Sequence, residues 1–144
     1  MNRRRRKKHS RSLFSAILSG DTARAERALR AGADPEGADS DGTTPLYLAS
    51  VNGEAAIAGL LLAAGAAPDS ESSGLGSEGT PLCAAAAWGH AEAVRVLLAY
   101  GADPDLREDR GTGLSPLHWA RHGGHVETAG ILTAAGAASR TDIP

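Results

Sequence analysis

Gly20, Gly53, Gly89 and Gly124 recur along this chain at spacings of 33, 36 and 35 residues, each in similar surroundings. A period of this size marks a stack of small units, none large enough to bury its apolar face alone. The third unit is the most complete: Thr80-Pro81-Leu82, then Gly89-His90, then Val94, Leu97 and Leu98, then Gly101-Ala102-Asp103. The same frame runs from Thr44-Pro45-Leu46 through Gly53 and Leu61-Leu62 to Gly65-Ala66. It returns from Ser115-Pro116-Leu117-His118 through Gly124-His125 and Leu132 to Gly136-Ala137. A degraded copy opens at Leu13 and passes Gly20-Asp21 and Leu29 to Gly32-Ala33-Asp34.

Each piece of the frame has a mechanical reading. Thr44, Thr80 and Ser115 suit helix N-caps, because a hydroxyl there accepts a bond from an orphan backbone N–H. Pro45, Pro81 and Pro116 follow at the first helical position, where a missing N–H is harmless. A short first helix ends near each junction glycine, which can take the left-handed conformation that closes it. A second helix follows, with Val94, Leu97 and Leu98 at i, i+3 and i+4 as one buried stripe. Gly32, Gly65, Gly101 and Gly136 close the second helices, and polar loops such as Asp34–Thr43 lead to the next unit.

A helix–turn–helix unit of about 33 residues opening on Thr-Pro-Leu-His resembles the ankyrin repeat. The resemblance covers residues 13–143, as repeats of about 13–42, 43–78, 79–113 and 114–143. It implies an all-α solenoid whose first helices line a concave groove and whose loop tips form β-turn fingers. Within it, His118 and the Gly-His junctions of His90 and His125 are structural positions.

The departures from the frame carry expectations too. The first copy lacks Thr-Pro-Leu-His and bears Arg24, Glu26, Arg27 and Arg30, as an exposed cap should. The stretches from Gly65 to Thr80 and from Gly101 to Ser115 are longer than that from Gly32 to Thr44, and the Ser/Gly-rich loop Asp69–Gly79 and the loop Asp105–Leu114 within them are expected to be mobile. Gly59 and Gly130 fall inside second helices, each costing about 0.5–1 kcal/mol relative to Ala. With alanines at 25, 28, 58 and 129 where leucine is usual, modest stability is expected.

Charge divides the chain. Seven of its 15 basic residues lie within residues 1–12 with no acid among them, so the rest sets eight basic against 17 acidic residues and carries −9. Residues 1–12 read as a solvated, disordered tail; Arg3–Lys8 is also similar to a nuclear-import signal, and the Arg/Ser-rich start to an organelle transit peptide. The tail is the one place where nucleic acid would be met, through phosphates. The acidic body should repel a nucleic-acid backbone, and no aromatic residue interleaves the basic run for base stacking. The longest apolar stretch, residues 55–68, is shorter than the roughly 20 residues a bilayer requires. No membrane association is expected, and the expected compartment is the cytoplasm, or the nucleus if Arg3–Lys8 is an import signal.

Catalytic constellations are wanting. No glycine-rich loop follows a strand pattern, and Gly74-Leu75-Gly76 reads as flexible connector. His118 and His122 stand one helical turn apart, a ligand spacing, but without an acidic third ligand a structural reading is preferred and no metal or cofactor is expected. Cys83, the one cysteine, allows no intrachain disulfide and shares its repeat position with His118 and Tyr47, which suits a packed thiol.

The expected function is therefore non-catalytic binding of a partner protein by a monomer acting as adaptor, inhibitor or immunity-type protein. A nucleic-acid-associated regulator using the basic arm is the alternative. The acidic body favours a basic partner surface. The register places the two residues before each junction glycine on the groove: Leu18-Ser19, Val51-Asn52, Ala87-Trp88 and His122-Gly123. Ser40, Asp41 and Thr43 join them from a finger, as does Leu114, with Tyr100 expected at the rim. Trp88 is the expected anchor, unless it packs between neighbouring first helices; Trp119 is expected in the core.

Overall fold

The computed structural model describes residues 2–74 and 77–137, with the side chains of 77 and 78 excepted. The expected end of the fourth repeat, at 143, lies outside the described residues. Four helix pairs follow one another: α1 (Arg3–Ser19) with α2 (Thr22–Arg30), α3 (Pro45–Val51) with α4 (Ala55–Ala63), α5 (Pro81–Ala87) with α6 (Ala91–Ala99), and α8 (Pro116–His122) with α9 (Val126–Ala134). The inner helices pack in series as α1, α3, α5 and α8, and the outer helices as α2, α4, α6 and α9. The result is the expected all-α solenoid.

The caps are those the sequence suggests. Thr44 Oγ1 accepts from Tyr47 N, Thr80 Oγ1 from Cys83 N, and Ser115 Oγ from His118 N, each at 3.1 Å, with proline at the first helical turn. Between the layers Leu13, Ile17, Ile57, Leu61, Leu82, Val94, Leu97, Leu117 and Leu132 are fully buried. Alanines 25 and 58 are fully buried as well, so they fill close helix contacts where larger side chains would not fit.

Successive units are joined at the junction glycines. His90 Nε2 lies 3.0 Å from the Val51 carbonyl, and His125 Nε2 lies 3.0 Å from the Ala87 carbonyl, so each imidazole donates one repeat backwards. The rings lie directly over Gly53 and Gly89. A Cβ would stand 2.6 Å from His90 Nδ1 at Gly53 and 2.4 Å from His125 Nδ1 at Gly89, and φ is +71° and +70° there. Glycine is thus required twice over, by conformation and by space. At the first junction Glu54 takes the histidine's place, its carboxylate 3.1 Å from where a Gly20 Cβ would be. A carboxylate accepts but does not donate, and it faces the C-terminal, partially negative end of α1. A second set of ties runs through the turns, where Glu36 accepts from Ala67 N at 2.9 Å and Asp69 from Asp103 N at 3.0 Å.

Three segments differ from expectation. The basic run is helical from Arg3, not a disordered tail ending at residue 12. Asn2 caps it by accepting from Arg5 N at 2.9 Å, and α1 continues unbroken into the buried face of Leu13, Ala16 and Ile17. The expected mobile loop Asp69–Gly79 contains an antiparallel ribbon, β1 (Ser72–Gly74) with β2 (Ser77–Gly79). Ser72 Oγ and Ser73 N both donate to the Gly42 carbonyl, tying the ribbon to the preceding finger. The loop Asp105–Leu114 holds one helical turn, α7 (Glu108–Gly111), in which Asp109 and Arg110 take φ of +53° and +57°. These left-handed conformations cost about 1 kcal/mol or more each. They persist because Arg110 N donates to Glu71 at 2.8 Å and Gly113 N to the Glu108 carbonyl at 2.8 Å.

Two substitutions should stabilise this stack. Glu54→His supplies an N–H to the Leu18 carbonyl, the counterpart of the Val51 and Ala87 acceptors, and is expected to add about 1 kcal/mol in urea unfolding. Ser50 is fully buried with an unpartnered hydroxyl, at the repeat position that Ala86 fills. Ser50→Ala is expected to raise stability by about 1 kcal/mol, read by the same titration.

Candidate partner-binding groove

The concave face holds two adjoining hollows, of about 760 Å³ and about 1050 Å³. Both are walled by inner helices and the turns beside them, without any outer-helix residue. Tyr47 of α3 lines both and forms the divide. The arrangement follows from the caps: Thr-Pro starts each inner helix at the finger base, and seven residues later it ends at the junction, leaving one face toward the concavity.

In the C-terminal hollow lie Ala87, Trp88 and His122 of the expected surface, with Gly123. Trp88 follows α5 as its C-cap and is 65% exposed, so it does not pack between neighbouring inner helices. Trp119, expected in the core, is half-buried: it packs against the core and also walls the hollow, and its Nε1 donates to Glu108 Oε1 at 2.9 Å. The polar end of its indole needs that partner, which holds the ring at the surface. The His118 ring is stacked parallel to His122 at 6.1 Å between centroids, and Trp119 meets both edge-on. Among the described residues no three His, Cys, Asp or Glu side chains converge as a metal-ligand set.

Ser40, Thr43 and Val51 of the expected surface line the N-terminal hollow, with Leu18. Thus the first member of each residue pair before a junction glycine lines the groove: Leu18, Val51, Ala87 and His122. Asp41 and Asn52 are exposed but line neither hollow. Leu114 is 37% exposed on the turn before α8 and also lines neither. Tyr100 departs from its expected place at the groove rim. It caps the outer helix α6, because Gly101 closes that helix and not an inner one.

The residues that sequence reading missed are Tyr47, Glu108 and the groove-facing side of α1, namely Lys7, Arg11 and Phe14. The repeat register signals Tyr47, which stands where Cys83 and His118 stand. Nothing in the register signals Glu108, because it belongs to an irregular loop.

Cys83 Sγ is buried against the carbonyls of Leu114 and Leu106, and burial pushes its pKa to about 12. It is a packed thiol with no nucleophilic character at neutral pH. Burial also raises the pKa of Glu108 above the ordinary glutamate value; Asp109 and Glu71 push the same way, while the Trp119 N–H opposes. No helix among the described residues is long and apolar enough to cross a membrane.

A raised folded-state pKa means that the folded protein binds more protons than the unfolded chain between the two values, so this group's contribution falls as pH rises through that window. Glu108→Gln keeps an acceptor for Trp119 and removes the desolvated charge. It is expected to raise the urea midpoint at pH 7, with the gain vanishing below the ordinary glutamate range, where the wild-type carboxyl is neutral.

Comparison with known proteins agrees with this architecture. A family model for ankyrin repeats in three copies matches residues 69–142, and a model for a single ankyrin repeat matches residues 41–73. The human Ankyrin repeat domain-containing protein 39 is 39% identical over 62 residues, a stretch that covers 43% of this chain and 34% of that relative.

Proposed function

This chain belongs to the ankyrin-repeat family, whose repeats are protein-interaction modules, and from that premise we propose that its concave groove and turn tips bind a partner protein without chemistry on it. The observation that carries this reading is Trp88, a large aromatic side chain left 65% exposed on the wall of a hollow of about 760 Å³. Exposed tryptophan beside a concavity is what an interface anchor requires, because it offers a large contact area at little cost in conformational freedom.

The surroundings of Trp88 define the partner's chemistry at this end of the groove. Glu108 and Asp109 line the hollow and favour a basic side chain, while Ala84 and Ala87 leave room for an apolar one. The stack is held by its own caps and junction bonds, so the surface is preformed and little ordering entropy is lost on binding. An adaptor, an inhibitor or an immunity-type protein would each use such a face. The acidic body disfavours nucleic acid over most of the surface, although α1 carries seven cations.

The test is a pull-down from nuclease-treated native lysate, with mass spectrometry, comparing the full chain with Trp88→Ala. One retained protein should be lost by about tenfold or more with the variant, whose melting temperature should stay unchanged because Trp88 is exposed. Retention indifferent to Trp88, or retention that nuclease abolishes, would overturn the reading.

A further inference from the structure

The N-terminal hollow differs in chemistry from the one that holds Trp88. Along α1, Lys7, Arg11, Phe14 and Leu18 follow at i, i+4, i+7 and i+11, and all four line it. Arg4, one turn before Lys7, continues the same face and is exposed. The stripe is apolar where it meets α3, with Leu18 68% exposed near Val51, and cationic at its other end. Among the described residues neither Lys7 nor Arg11 makes an ion pair. Asp39, on the opposite wall, is engaged by its own turn, its Oδ1 accepting from Asp41 N and Thr43 N at 2.9 and 3.0 Å. The run Arg3–Lys8 begins at the positive end of the α1 dipole, Arg11 follows at mid-helix, and the pairs Arg3–Lys7, Arg4–Lys8 and Lys7–Arg11 repel at i, i+4 spacing. An anionic ligand would relieve both terms.

Resting on the groove reading above, we infer that the N-terminal hollow is the docking site for an acidic segment of a partner protein, with a large apolar side chain seated among Leu18, Val51 and Tyr47 and carboxylates on Lys7 and Arg11. The geometry sets the spacing. Arg11 lies about 10 Å and Lys7 about 16 Å along the helix from Leu18, at 1.5 Å per residue. An extended segment rising about 3.3 Å per residue therefore places its carboxylates about three to five residues from the apolar anchor. A bilayer does not fit, because the stripe faces the finger at Ser40 and Thr43 across a concavity. Nucleic acid fits poorly, because the hollow's aromatic residues, Phe14 and Tyr47, stand at its apolar end and none lies between the cations.

The test is selection of a phage-displayed library of random dodecapeptides on the immobilised full chain, followed by fluorescence polarisation with the enriched peptides. Enriched sequences should pair one large apolar residue with Asp or Glu about three to five positions away. Their affinity should fall about tenfold or more with Lys7→Glu/Arg11→Glu and with Leu18→Ser, and should not change with Trp88→Ala. Lys7, Arg11, Leu18 and Trp88 are all solvent-exposed, and the thermal melt of every variant is compared with the wild type, so lost folding does not mimic lost binding. Peptides that depend on Trp88 and not on Lys7 and Arg11 would overturn this inference while leaving the groove reading intact. Enrichment of acid-free peptides, or of none, would overturn it as well. So would tight binding of a short single-stranded oligonucleotide or of phosphatidylserine vesicles at about 0.15 M salt without any peptide bound.

Discussion

The stacking of the last three repeats depends on an imidazole reaching back one repeat across a glycine. His90 to the Val51 carbonyl and His125 to the Ala87 carbonyl are single hydrogen bonds, each worth about 1 kcal/mol. Their structural weight is larger, because each also sets the distance between consecutive inner helices. The ring occupies the place of the missing Cβ at Gly53 and Gly89, so bond and contact are satisfied in one geometry. The first junction, with Glu54 in that place, has the contact without the donor. There α1, with Leu13, Ala16 and Ile17 buried, packs on α3 without an imidazole tie.

The junctions also shape the groove. The residues two before the junction glycines, Val51 and Ala87, give their carbonyls to the histidines while their side chains line the hollows. The tie that spaces the repeats therefore also holds the residues on which a partner would rest. Rigidity of this kind comes from the backbone, so an exposed side chain on the concave face that holds no other element in place can be set by the partner. Trp88, exposed at the end of α5, is such a residue; Trp119, tethered to Glu108, is not.

The irregular loops show a different economy. Ser72 and Ser73 fasten a short ribbon to the finger at Gly42, and Glu71 holds the left-handed turn at Arg110. In both cases a polar side chain or amide of one repeat's loop satisfies the backbone of another. These contacts span some 30 to 39 residues in sequence. Local composition, rich in serine and glycine, suggests mobility because it contains no trace of the distant partner.

The sequence by itself determined the helix pairs, their caps, the closing glycines and the groove positions Leu18, Val51, Ala87 and His122. These follow from short-range rules of spacing, N–H satisfaction and backbone freedom, repeated in one register. Tertiary structure alone decided that the basic run continues as α1 and walls one hollow, since a buried face at residues 13–17 propagates helix into residues whose charges oppose it. It alone decided the exposure of Trp88, the anchoring of Trp119 by Glu108 and the outer-helix place of Tyr100. Each of those depends on which element lies opposite a side chain, and neither pattern nor propensity encodes a distance between residues far apart in the chain.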